Sequence, residues 1–89
     1  MNKTYQLYIG ANNITGDVET PLIERVLAVY YDGFTLQPSV GFWLGKKEQS
    51  VIVTVTSDVN TLNTVLSELK EVLHQDAIAW HEIANLQFF

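Results

Sequence analysis

The spacing of apolar residues along this chain switches back and forth between every second position and every third or fourth. That switching constrains the fold more than any other feature. Thr4 to Ile9 alternates, with Tyr5, Leu7 and Ile9 on one side and Thr4, Gln6 and Tyr8 on the other, which predicts a strand. Gly10-Ala11-Asn12-Asn13-Ile14-Thr15-Gly16-Asp17 is dense in turn formers and predicts a loop. Thr20-Pro21 then opens a helix, with Thr20 expected as its N-cap and Pro21 at the first helical position, where a missing N–H costs nothing. Ile23, Val26, Leu27 and Tyr30 fall on one helical face, widened by Val29 and Tyr31. Asp32-Gly33 is the expected stop, with Gly33 in the left-handed conformation.

Phe34 to Leu44 reads as a second strand. Pro38 inside it cannot donate to a ladder, so the strand belongs at a sheet edge or is bent there. Gly45-Lys46-Lys47-Glu48 is the expected hairpin turn. Ser50 to Thr56 carries β-branched residues on both sides and belongs in the middle of the sheet. After the capping residues Ser57, Asp58 and Asn60, the stripe Leu62, Val65, Leu66, Leu69, Val72 and Leu73 predicts a second helix, with His74 and Gln75 in its last turn. Ala77 to Ile83 is a fourth strand, with Ile78 and Trp80 facing one way and Ala79 and His81 the other.

The resulting order is β-α-β-β-α-β over residues 1–89, read as a single domain. It fits an α+β, ferredoxin-like plan: a four-stranded antiparallel sheet with both helices on one face. The chain is 47% hydrophobic, enough for a packed core and too much for a disordered chain. The absence of cysteine excludes disulfides, thiolate metal sites and thiol nucleophiles, and fits a cytoplasmic protein. Nothing reads as a signal peptide or a membrane span. With 5 Lys+Arg against 10 Asp+Glu the net charge is −5, which argues against binding duplex nucleic acid.

One sheet face is left without helices. Tyr8, Trp43, Ile52, Thr54 and either Trp80 or His81 are expected on it, a surface suited to self-association or a ligand. Asn12, Asn13 and Thr15 of the first loop supply amides and a hydroxyl for a polar ligand. Trp43 beside Lys46 and Lys47 joins an aromatic surface to two cations, and Arg25 adds a third group that pairs with phosphate. Trp80, Leu86, Phe88 and Phe89 are the expected interface anchors. His74, Asp76, His81 and Glu82 are the only metal-like or acid–base set, but adjacent strand residues point to opposite faces, so no metal site, cofactor or catalytic residue is expected.

Two stretches, Tyr5-Gln6-Leu7-Tyr8-Ile9-Gly10 with the asparagine-rich loop, and Asp32-Gly33-Phe34-Thr35-Leu36 running on to Gly41-Phe42-Trp43, resemble small phage and prophage proteins of ferredoxin-like fold. That resemblance implies a non-enzymatic, homo-oligomeric binding protein in a host cytoplasm that counters defence by sequestering a small anionic ligand such as a nucleotide signal. Two alternatives stand beside it. One is an inhibitor of a host protein, using the open sheet or the apolar C-terminus. The other is a small dimeric enzyme with His81 or His74 as base.

Overall fold

The computed structural model describes residues 2–85 and residue 87. The expected anchors Leu86, Phe88 and Phe89 lie outside the described residues. The elements are β1 (Lys3–Ile9), α1 (Thr20–Tyr30), β2 (Thr35–Trp43), β3 (Lys46–Ser57), α2 (Val59–Val72) and β4 (Ala79–Ile83). The strands form one four-stranded sheet in the order β2-β3-β1-β4, and every pairing is antiparallel. This is the ferredoxin-like β-α-β-β-α-β arrangement, with β3 central and β2 at the edge, where Pro38 removes a donor the ladder does not need.

The register fixes which side is core. Tyr5 stands opposite Val55, Leu7 opposite Val53 and Ile9 opposite Val51, and all six side chains are buried against the helices. Ile23, Val26 and Leu27 of α1 and Leu62, Val65, Leu66 and Leu69 of α2 close the other side of the same cluster. Each such side chain contributes about 1.5–3 kcal/mol by leaving water. Trp80 stands opposite Leu7, so it faces the helices, with its ring edge-on to Tyr5 at a centroid distance of 5.6 Å. The open face therefore takes His81, not Trp80, alongside Tyr8, Trp43, Ile52 and Thr54. Gln6 and Thr56 make that face more polar than expected.

The helix ends depart from expectation. Thr20 is the first helical residue and Glu19 the N-cap, whose side chain makes no capping bond. The reason is that the Glu19 carboxylate is already taken by Asn12 Nδ2 at 3.0 Å. α1 stops at Tyr30, and Tyr31 turns extended at φ −131° while its N–H still reaches Leu27 O at 2.9 Å. The left-handed glycines among the described residues are Gly16 and Gly45, so Gly33 is not a left-handed cap. Tyr31 instead anchors the helix end, donating to Ser57 Oγ at 2.8 Å. Tyr30 completes the stripe in sequence but is exposed. α2 begins as expected at Asp58, whose carboxylate accepts Thr61 N at 2.8 Å and Thr61 Oγ1 at 2.7 Å. It ends in a Schellman turn: His74 N donates to Glu71 O and Gln75 N to Lys70 O, with His74 left-handed at φ 52°. His74 thus lies just past the helix, not inside its last turn.

The β2–β3 turn is tighter than the sequence implied. Trp43 pairs directly with Lys46, so Leu44 and Gly45 alone make the turn, and Lys46, Lys47 and Glu48 belong to β3. Both turn residues have positive φ, 51° and 78°, as a type I′ hairpin demands. Gly45 meets that at no steric cost. Leu44 does not, at about 1–2 kcal/mol, and its side chain is 86% exposed.

Leu44→Asn places a residue that tolerates this conformation, so urea unfolding is expected to show a gain of about 1 kcal/mol. A second expectation concerns pH. The two Thr61 hydrogen bonds hold the Asp58 carboxyl below its ordinary value. Its stabilisation is therefore complete above the ordinary aspartate range and is lost as pH falls through the lowered folded value. Acid titration of the denaturation midpoint should show this loss in the wild type and a smaller one in Asp58→Ala.

Candidate functional site

Three connections meet at the hairpin end of the sheet: the β1–α1 loop, the β2–β3 turn and the α2–β4 segment. The first is built around Asn12, whose side chain is 5% exposed on a residue otherwise typical of surfaces. Its Oδ1 accepts Ile14 N at 2.7 Å and Thr15 N at 3.2 Å, and its Nδ2 goes to Glu19. The main chain closes on itself through Asn12 N to Asp17 O and Gly16 N to Asn12 O, both 2.8 Å. Gly16 takes φ 77° to make that closure. Asn12 therefore shapes the loop with most of its side-chain bonding capacity, while still lining the cleft beside it. Thr15 is likewise used, accepting Asp17 N at 3.3 Å.

Gln75 ties the third connection to the first. The Schellman turn delivers its side chain so that Nε2 donates to Gly10 O at 3.3 Å and to Ala11 O. On either side of this tie lie two adjoining clefts. One, of about 440 Å³, is bounded by Gly10 to Asn13, Gly16, Lys47, Glu48, Gln49 and Gln75. The other, of about 690 Å³, is bounded by Tyr8, Gly10, Asn13, Trp43, Glu48, Gln75, Asp76, Ala77 and Ala79. Gly10, Asn13, Glu48 and Gln75 line both.

The structure thus brings together Tyr8, Asn13, Trp43 and Lys47 of the expected ligand set. Asn12 also lines the smaller cleft, while Thr15, Lys46 and Arg25 line neither. Lys46 lies across from Trp43 but lines neither cleft, and Arg25 stands exposed on α1 away from both. One cation, not three, lines the site. Sequence reasoning missed Gln75, Glu48 and Asp76. Gln75 carried no usable signal, because a lone glutamine after a helix is ordinary and its role depends on the turn geometry.

The two clefts differ chemically. The smaller sets one cation, Lys47, beside the Glu48 carboxylate, the amide of Gln75 and two glycines, so Lys47 is its point of attachment for a phosphate or carboxylate. The larger has two aromatic side chains and the carboxylates of Glu48 and Asp76, a setting for a flat ring carrying N–H donors. The groups with displaced titration lie elsewhere. Glu68, with burial second, pushes the Tyr30 phenol up, and burial does the same for Tyr31. Among the described residues no three of His, Cys, Asp and Glu come together to hold a metal. No helix there is long and apolar enough to cross a membrane.

Comparison with known proteins shows the fold. No protein-family model matches the chain, and no curated protein does. Among solved structures, a DUF3240 family protein from Shewanella baltica superposes with TM-score 0.69 at 16% identity, covering 98% of this chain and 93% of that one. CutA from Synechococcus elongatus gives 0.62 at 13% identity, covering 96% and 78%. A PII-like signaling protein from Thermus thermophilus gives 0.53 at 15% identity, covering 94% and 90%. The chain is similar to these in its ferredoxin-like architecture.

Replacing Asn12 by alanine removes its side-chain bonds to Ile14 N, Thr15 N and Glu19. A loss of about 1–3 kcal/mol is expected in chemical denaturation, together with faster amide exchange at Ile14 and Thr15.

Proposed function

We propose that this protein is a non-enzymatic binding protein that takes a small anionic ligand of nucleotide type across the two adjoining clefts. The observation that carries this is their chemical division around a shared set of residues. A flat ring lies against Tyr8 at the wall of the larger cleft, whose lining also holds Trp43 and the carboxylates of Glu48 and Asp76 to accept N–H groups. The phosphate extends past Gln75 toward Lys47. The net charge of −5 opposes a polyanion but not a single phosphate held by one local cation.

The CutA neighbours from Thermus thermophilus and Ehrlichia chaffeensis are described as divalent cation and divalent ion tolerance proteins, and another neighbour as PII-like and signaling. Such names fit a small-ligand role in a general way. The resemblance to phage proteins supplies the setting in which sequestering a host signal nucleotide would counter defence. Self-association is part of the same reading. Phe42 and Leu44, 72% and 86% exposed, leave apolar surface at the hairpin end that a second copy would cover.

Calorimetry with AMP, adenosine and inorganic phosphate tests the reading. AMP is expected to bind more tightly than either fragment. Trp43→Ala and Lys47→Ala should each weaken it at least tenfold, about 1.4 kcal/mol. No heat with any of the three sinks the idea.

A further inference from the structure

On the open face of the sheet, Tyr8 of β1 and His81 of β4 stack with ring centroids 5.5 Å apart and planes 23° from parallel. The Tyr8 hydroxyl lies 2.8 Å from His81 Nε2. It also donates to Gln6 Oε1 at 3.3 Å, and Gln6 Nε2 donates to Thr54 Oγ1 at 3.3 Å. A row of side chains therefore crosses from β4 through β1 to β3.

The row runs in one direction. The Gln6 amide is placed with its nitrogen toward Thr54 Oγ1 and its oxygen toward Tyr8. A phenol has a single proton, and here that proton goes to Gln6. The Tyr8 oxygen is then left to accept from His81, which must carry its proton on Nε2.

We infer that His81 is a positioning residue for Tyr8, holding its ring as a flat wall of the larger cleft through an Nε2–H donor that survives when the imidazole takes up a second proton. The inference rests on reading that cleft as a nucleotide site. With its hydroxyl engaged on both sides, Tyr8 offers the ligand ring surface and no spare proton, which selects for a planar group. Uptake of a second proton adds hydrogen at Nδ1 and leaves the Nε2–H bond in place. The groups facing His81 across the strand pair are Gln6 and Tyr8 of β1. No helix covers this face, and Glu82, paired with Lys3 at 3.5 Å, lies on the other one. The charged groups that line the larger cleft are Glu48 and Asp76.

Nitrogen-15 NMR of the full chain, labelled at histidine, reads the tautomer directly. At pH 8, His81 is expected to carry its proton on Nε2. A neutral His81 protonated on Nδ1 overturns the inference. With AMP as probe at the same pH, His81→Ala should weaken binding at least tenfold, and His81→Gln, which keeps an N–H donor, should recover most of it. Wild-type affinity in His81→Ala also overturns the inference. If AMP fails to bind the wild type, the nucleotide reading falls, while the nitrogen shifts still decide the Tyr8 contact.

Discussion

Everything in this fold depends on the register of β1 between its two neighbours. Because side chains alternate across a strand, a slip of one residue would turn Tyr5, Leu7 and Ile9 to the open side and bring Gln6 and Tyr8 into the core. Pairing β1 with β3 over seven positions and with β4 over five excludes that. The same parity that buries Leu7 puts Tyr8 beside the clefts and His81 across from Gln6. Core and site are two readouts of one alignment.

The candidate site is built from connections that this alignment holds in place. A buried asparagine closes the first loop, a leucine and a glycine with positive φ make the hairpin turn, and a Schellman turn aims Gln75. Each solves a local hydrogen-bond or steric problem, and the clefts are the space left between the solutions. Backbone carbonyls at Gly10 and Ala11 are satisfied by Gln75, which also keeps the α2–β4 segment close to the first loop.

The architecture was legible in the sequence because apolar periodicity is written residue by residue. The alternation at Tyr5, Leu7 and Ile9 and the stripe from Leu62 to Leu73 each report burial directly. Pro38 left an edge strand or a bent one, and the structure takes the edge; Ser57, Asp58 and Asn60 all offered a cap for α2, and Asp58 provides it. The chain ends of α1 were harder. Thr20 and Gly33 have the right chemistry for caps, but Glu19, Tyr31 and Ser57 settle those ends through contacts distant in sequence. The site was legible in part. Tyr8, Asn13, Trp43 and Lys47 announce themselves as polar or aromatic groups near turns. Asn12 announces itself equally, yet most of its side-chain bonding goes into the loop, and no pattern distinguishes an asparagine that binds from one that braces. Gln75 is the converse, silent until a turn three residues long points it at two carbonyls.

Pro38 has one further consequence. The outer edge of β2 is a row of backbone groups that another strand could zip along, the usual route to fibrils in sheet proteins. A residue without an N–H interrupts that row near its middle. A neighbouring molecule therefore finds no continuous ladder to extend on this side, and association along β2 is steered toward side-chain contacts that have a definite end, away from a template that has none.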